Sequence, residues 1–226
     1  MKKYAVIVAG GYGLRMGGSL PKQFLLIHNR PVLWYTLNTF LKSLEDIRIL
    51  LVLPAEYLEM GRSIGNDTGS AHRIEIIPGG ETRFHSVQKG LAHVRERSIV
   101  FVHDGVRCLL SPALIHRCFE EAQRFGSAVP CIDSKDSVRI LTDAGFESIK
   151  RTRIKLMQTP QTFLSDLILP AYQAEYREEF TDDASVVEAF HRPIHLVEGE
   201  VNNIKITTPL DIILAEKLLE QPHYPF

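Results

Sequence analysis

Five short apolar runs, at residues 4–9, 47–53, 73–77, 99–103 and 128–132, recur along the chain with helical stretches between them. Runs of this length without polar alternation read as strands buried on both faces, and strands separated by helices pair most simply as parallel neighbours. The pattern predicts a three-layer α/β/α sandwich around a mostly parallel, twisted, Rossmann-like sheet. Two helices are predicted on separate grounds. Residues 31–41 carry Pro31 near their start, and Ser111-Pro112 supplies an N-cap and a first helical residue for a helix running to Arg124. Further on, 163–176 and 181–190 read as helical, 194–197 as a strand and 209–219 as a final amphipathic helix. Trp34, on the first helix, is expected in the core.

Residues 133–155 break this rhythm. Two strands, 137–141 and 146–150, flank a Thr142-Asp143-Ala144-Gly145 turn and read as a protruding hairpin. The alternating Val138 and Ile140 of such an arm need a partner surface, which predicts packing on a second subunit; a hairpin on the sheet edge is the other reading of the same residues.

A chain of 226 residues with 45% hydrophobic content is expected to form one domain, 1–226, with the arm as part of it. The formal net charge of -1, from 26 basic and 27 acidic residues, argues against a nucleic-acid groove or an anionic membrane surface, so any phosphate-binding charge has to be local. Cys108, Cys118 and Cys131 lack metal-type spacing and are expected as small core residues in a reducing compartment. The apolar run near the start is too short for a signal-peptide core or a membrane span, and the expected location is the cytoplasm.

The segment after the first strand, Ala9-Gly10-Gly11-Tyr12-Gly13-Leu14-Arg15-Met16-Gly17-Gly18, followed by Leu20-Pro21-Lys22-Gln23-Phe24, is the most informative. Glycines let a backbone approach phosphate oxygens, and the amides then donate to them. Arg15 can grip two oxygens with its planar guanidinium, while the Lys22 ammonium acts as a mobile point charge. The dinucleotide-binding pattern fails, because Met16 stands where a third glycine is needed and the second strand ends in Leu53-Pro54 without an acidic ribose-binding residue near the expected place. No Walker-type glycine-lysine-serine or glycine-lysine-threonine follows either.

The glycine loop, arginine and proline-lysine pair together resemble nucleotidyltransferases of the nucleotide-diphospho-sugar-transferase fold. Five further segments narrow the likeness: Gly79-Gly80-Glu81-Thr82-Arg83-Phe84-His85-Ser86-Val87, Val102-His103-Asp104-Gly105-Val106-Arg107, Gln158-Thr159-Pro160-Gln161, Thr181-Asp182-Asp183-Ala184-Ser185 and Asn203-Ile204-Lys205-Ile206-Thr207. In that order, over nearly the whole chain, they resemble the 2-C-methyl-D-erythritol 4-phosphate cytidylyltransferase family. The resemblance implies transfer of CMP from CTP to methylerythritol phosphate with release of pyrophosphate, Mg2+ held mainly by the CTP phosphates, and a homodimer with interlocking arms. It implies charge stabilisation at the reacting phosphates by Arg15 and Lys22, with Arg151 and Lys205 also in the catalytic set. The nucleotide pocket would comprise Ala9, Gly10, Gly11, Gly13, Gly80, Glu81, Ser86 and Asp104. The acceptor would meet Gly105, Arg107, Ser134, Arg151, Thr181 and Lys205, with Ser134 and Arg151 coming from the partner's arm. Asp104 is assigned to ribose or metal-shell contacts, since ligands bind at strand ends in open α/β sheets.

Departures from the family pattern are mild in the nucleotide half, with Gly10 for alanine and Glu81 for aspartate. In the acceptor half, Gly105-Val106-Arg107-Cys108 replaces an alanine-alanine-arginine-proline run and Ser134 replaces threonine. Asn202 stands where aspartate is usual, and no residue is assigned as a metal ligand. A ribitol-5-phosphate cytidylyltransferase shares the loop and the run through Lys205 and is the alternative; a non-catalytic nucleotide-binding module is a remote one. Asp182-Asp183 reads equally as a helix N-terminus capped by Thr181 and as a substrate contact. His103 is expected to be a hydrogen-bonded strand-end residue rather than a base.

Overall fold

The computed structural model describes residues 1–11 and 20–221. Strand β1 (Lys2–Val8) is the centre of the sheet, with β4 (Ile47–Leu53) and β6 (Ser98–Asp104) as its parallel neighbours. Between β1 and β4 come the two-residue strands β2 (Leu26–Ile27) and β3 (Arg30–Pro31), paired with each other, and helix α1 (Val32–Ser43). Helix α2 (Leu58–Asp67) leads to β5 (Ile74–Pro78), parallel to β4, and α3 (Arg83–Leu91) returns the chain to β6. Helix α4 (Pro112–Phe125) precedes β7 (Ser127–Asp133). The arm strands β8 (Val138–Thr142) and β9 (Gly145–Ile149) pair only with each other among the described residues. Strands β10 (Lys155–Met157) and β11 (Gln161–Leu164) then run antiparallel to β7, and β11 also lies antiparallel against β6. The chain ends with α5 (Ser165–Ala171), α6 (Asp183–Ala189), β12 (Leu196–Glu198), parallel to β7, and α7 (Pro209–Leu219).

The sheet order is β10-β7-β11-β6-β1-β4-β5, and its mostly parallel sense and helical cover match the expected three-layer class. Strand geometry explains the cover. Successive side chains point to opposite faces, so Ala5 and Ile7 of β1 join Ile49, Leu51 and Phe101 under α1 and α4, where Leu33, Leu37, Phe40, Leu114 and Cys118 meet them. Tyr4, Val6 and Val8 face the other way with Leu50, Val52, Val100 and Val102, against Phe84 and Val87 of α3 and Ala184 and Val187 of α6. The apolar runs are continuous because both faces need them. A smaller cluster of Ile27, Tyr35, Val106, Cys108, Ile206 and Ala215 ties α7 to the strand ends.

Local signals also behave as expected. Ser111 Oγ accepts from Leu114 N at 3.0 Å with Pro112 first in α4, and Gly126 closes that helix in the left-handed region at φ 87°. All three cysteines are buried free thiols; burial pushes Cys108 and Cys118 up to about 12.

Five expectations change. Residues 163–176 are not one helix: Phe163 and Leu164 close β11, and the helix is confined to Ser165–Ala171. The antiparallel β11 fills the space between β6 and β7, a tertiary demand that overrides the helical reading of the following residues. The cap of α6 is Asp182, not Thr181; Asp182 Oδ1 accepts from Ser185 N at 2.9 Å while Ser185 Oγ meets the Asp182 N–H. Helix α7 is apolar on its outer side too, where Leu210, Ile213 and Leu214 are exposed, so it is not amphipathic within one chain. Trp34 is half-buried, with Arg30 over its ring at 4.9 Å. The hairpin arm itself forms one residue later in its first strand than expected, and Leu141 and Phe146 on it are 71% and 73% exposed.

Phe163, fully buried between Val100 and Ser127, carries the test of β11. Phe163→Ala is expected to cost about 3–5 kcal/mol in urea denaturation; a cost below about 1 kcal/mol would contradict a core position.

Candidate active site

The chain leaves β1 for β4 on one side and has β6 on the other, so a crevice opens at the carboxyl ends of these strands. A cleft of about 380 Å³ occupies it, lined by Ala9, Gly10 and Gly11 after β1, Lys22 and Gln23 beyond the loop, Gly80 to Arg83 and Ser86 after β5, and Asp104, Val106 and Lys205. Backbone ties hold the walls: Ala9 N donates to Val52 O at 3.0 Å, Gly79 N to Leu53 O at 2.7 Å, and Gly105 N to Val8 O at 2.9 Å. Gln23 Nε2 fixes the Ala9 carbonyl at 2.7 Å. Gly80 N donates to Ser86 Oγ at 3.1 Å, and a Cβ at Gly80 would stand 2.5 Å from that of His85, so this turn accepts only glycine without rebuilding.

Asp104 ends β6 at the floor of the cleft. Its Oδ1 accepts from Arg83 Nε at 3.1 Å, its Oδ2 lies 2.8 Å from Lys205 Nζ, and Arg107 Nε stands 3.8 Å from Oδ2. Burial alone would raise this carboxyl; Arg83, then Lys205 and Arg107, outweigh it and hold Asp104 well below the usual carboxylate range. Arg83 is held in turn by Asp183, through Nη1 at 3.0 Å and Nη2 at 2.8 Å, and Tyr172 Oη donates to Asp183 Oδ1 at 2.6 Å. Arg107 Nη1 donates to Asn203 O at 2.8 Å.

The Gln158-Thr159-Pro160-Gln161 segment is the brace behind this cluster. Gln158 Nε2 donates to Glu200 O at 2.8 Å and its Oε1 accepts from Glu200 N at 3.0 Å, fixing the loop that carries Lys205. Thr159 Oγ1 accepts from Asp104 N at 3.2 Å and donates to His103 Nδ1 at 2.9 Å. Gln161 accepts from Ala184 N at 2.8 Å and donates to Asp182 Oδ2 at 2.7 Å, seating the start of α6. The Thr159-Pro160 bond is cis.

The family model described as IspD: 2-C-methyl-D-erythritol 4-phosphate cytidylyltransferase matches residues 4–221. The 2-C-methyl-D-erythritol 4-phosphate cytidylyltransferase of Bacteroides fragilis is 50% identical over 219 residues, covering 97% of this chain and all of that protein. That of Bacteroides thetaiotaomicron is 47% identical with the same coverage. Among solved structures, the 4-diphosphocytidyl-2C-methyl-D-erythritol synthase of Anaerococcus prevotii superposes with a TM-score of 0.84 at 31% identity, over 97% of this chain and 96% of that one. The chain belongs to the 2-C-methyl-D-erythritol 4-phosphate cytidylyltransferase family. It is a nucleotidyltransferase.

Within this cytidylyltransferase, Ala9, Gly10, Gly11, Lys22, Gly80, Glu81, Ser86, Asp104 and Lys205 line one cleft. Arg15 and Gly13 lie outside the described residues. Gly105 sits behind the wall, where a Cβ would meet that of Ala9 at 2.9 Å, and Arg107 stands at the cleft's edge on Asp104. Thr181 is exposed and off the cleft lining. Ser134 and Arg151 lie in a second cavity of about 510 Å³ at the base of the arm, with Asp133, Lys135, Thr152 and Lys155; the single chain does not bring them to the cleft. Within the protein itself Asp104 meets three cations, Arg83, Arg107 and Lys205.

Arg83 is the site residue the sequence reading passes over. Its signal was available: it follows Thr82, whose hydroxyl caps α3, inside the Gly79–Val87 segment. Asp183, weighed above as a helix-end acid or a substrate contact, is its fully buried counter-ion. No group of three or more His, Cys, Asp or Glu gathers as a metal cage among the described residues, and no described helix is long and apolar enough to cross a membrane.

His103 is fully buried directly behind Asp104, and burial pushes its pKa down to about 3. The Arg107 carbonyl, 3.4 Å from Nε2, can only accept, so the proton of the neutral ring sits on Nε2 and Nδ1 accepts from Thr159 Oγ1. The unfolded chain binds a proton here below about 6.5 while the folded chain stays neutral, so stability is full above about 6.5 and falls as pH drops towards 3. Unfolding free energies from urea denaturation between pH 7 and 5 should decline by up to about 1.4 kcal/mol per pH unit. His103→Gln should flatten that decline, and an unchanged slope would exclude His103 as its source.

Proposed function

We propose that the chain transfers CMP from CTP to 2-C-methyl-D-erythritol 4-phosphate, giving 4-diphosphocytidyl-2-C-methyl-D-erythritol and pyrophosphate. The observation that carries this reading is the convergence of Lys22 and Lys205 with the glycine-lined Ala9–Gly11 and Gly80–Ser86 walls in one cleft at the strand ends. The acceptor phosphate is already ionised near neutral pH, so the reaction calls for no base and no covalent nucleophile. What it requires is that two polyanions be held together while charge builds on the α-phosphate. Lys22 and Lys205 supply that charge, joined by Arg15 from the glycine loop. The Gly80-Glu81 turn and Ser86 receive the cytidine. Fixed backbone groups there tell the exocyclic amine of cytosine, a donor, from the carbonyl of uracil, an acceptor.

Magnesium fits this site as an ion carried in on the nucleotide. Mg2+ commonly takes one or two carboxylates plus phosphate oxygens and waters, and Asp104 is an ionised carboxylate on the cleft floor. When bound it shares in neutralising the phosphate oxygens. Asp104 has a second duty within the protein, orienting Lys205 across 2.8 Å towards the cleft.

The acceptor is gripped by Arg107, Lys205 and Thr181 of one chain with Ser134 and Arg151 from a second copy. Support comes from the arm, whose Leu141 and Phe146 are exposed among the described residues, and from the polar cavity at its base. The whole of 1–226 then works as one domain in a homodimer, and the three buried free thiols suit the cytoplasm.

Purified protein with CTP, magnesium and methylerythritol phosphate should release pyrophosphate, and faster release with ribitol 5-phosphate would reverse the acceptor assignment. Lys205→Ala should lower kcat/KM by about 100-fold or more. Leu141→Ser with Phe146→Ser should turn the dimer to monomer in analytical ultracentrifugation and abolish turnover; a monomeric but fully active variant would defeat the shared site.

A further inference from the structure

Arg83 stands where three elements meet. It opens α3, directly after the Gly80–Thr82 turn that lines the nucleotide cleft. Its two terminal nitrogens grip Asp183 in α6, and its Nε grips Asp104 at the end of β6. A guanidinium offers its donors in a fixed fork, so the two carboxylates cannot move independently of one another while both are bound.

The pair with Asp183 is an expensive way to hold a helix. Asp183 is fully buried, and taking a carboxylate out of water costs several kcal/mol that a buried ion pair only about recovers. An apolar residue at this position would hold α6 to the sheet as well, beside Ala184, Val186 and Val187, which already do so. Tyr172 adds its hydroxyl to the same carboxylate while its ring stacks on Phe84 at 4.8 Å, fixing Asp183 from the side away from the cleft. The side chain of Arg83 stays 30% exposed, towards the cleft it lines. Fold stability accounts for the burial of α6 but not for a charge whose third donor is turned to the cleft floor.

Resting on the reaction proposed above, we infer that Arg83 is a positioning residue that fixes the loop ending at Thr181 relative to the nucleotide cleft, acting through Asp183 and Tyr172. Thr181 lies two residues before Asp183, and Asp182 between them is seated by Gln161. The chain Tyr172–Asp183–Arg83–Asp104 thus sets how far the acceptor loop stands from Lys205 and the nucleotide phosphates.

Asp183 and Tyr172 do not line the cleft, so their variants reach the substrates only through their neighbours, Arg83 and the loop ending at Thr181. In Asp183→Asn the acceptor KM at saturating CTP should rise about tenfold, and in Tyr172→Phe, which keeps the stacked ring, about threefold. CTP binding measured calorimetrically without acceptor should stay within about twofold in both. Arg83→Lys, which keeps the charge and loses the fork, should match Asp183→Asn in acceptor KM. If these variants lower the melting temperature while acceptor KM and kcat stay within about twofold, the pair is a structural anchor and the inference falls. Tyr172→Phe decides alone if Asp183→Asn does not fold. Absence of turnover by the unmodified enzyme would count against the reaction itself, whereas turnover with unmoved variants would count against the role of Arg83.

Discussion

A carboxylate at the end of a fully buried strand would ordinarily be driven to its neutral form, and Asp104 is not. Three cations from three different parts of the chain surround it: Arg83 from α3, Arg107 from the turn after β6, and Lys205 from the loop before α7. Each would repel the others if the carboxylate were removed. Asp104 is therefore the counter-charge that allows these cations to assemble beside one another at the cleft before any phosphate arrives. In a protein of formal net charge -1, such a concentration of positive charge has to be built locally, and this is how it is built.

The same constraint explains why so much of the polar interior lies behind the cleft. Thr159 satisfies the Asp104 amide and one nitrogen of His103, Gln158 ties down the loop bearing Lys205, and Gln161 seats α6. Each of these groups would be costly if left unpaired in the interior, and together they convert a run of four residues into a fixed distance between β6, the Lys205 loop and α6. The neutral state of His103 belongs to this design. A second positive charge behind Asp104 would compete with the cations in front of it.

The sheet was legible because burial on both faces leaves a sequence no choice: the runs around Val6, Leu50 and Val102 could not be amphipathic helices or exposed strands. The glycine walls were legible because turns such as Gly80, with no room for a Cβ, leave a direct mark on the chain. Antiparallel β11 was not legible. It has only four residues, opens with Gln161, whose side chain serves α6, and runs straight into Ser165–Ala171, so periodicity over that window reports the helix. The role of Arg83 was hidden for a related reason. Its partner Asp183 lies 100 positions away, and an acid near a helix start has a sufficient local explanation in the helix dipole. Only the pairing in space shows that Asp182 takes the cap and leaves Asp183 free to turn inward.

The arm presents the complementary case, in which a single chain is insufficient. Ile140, Leu141 and Phe146 expose apolar surface on a hairpin that pairs with no third strand among the described residues, and an isolated hairpin is at best marginally stable in water. At its base Lys135, Arg151 and Lys155 face only Asp133 among the residues lining that cavity. Apolar strands needing cover and cations needing an anion occur on one element, and a second copy of the chain answers both needs at once: its surface covers the hairpin, and a phosphate bound in its cleft meets the spare positive charge. The cleft built around Asp104 would then be completed by side chains that its own chain cannot deliver.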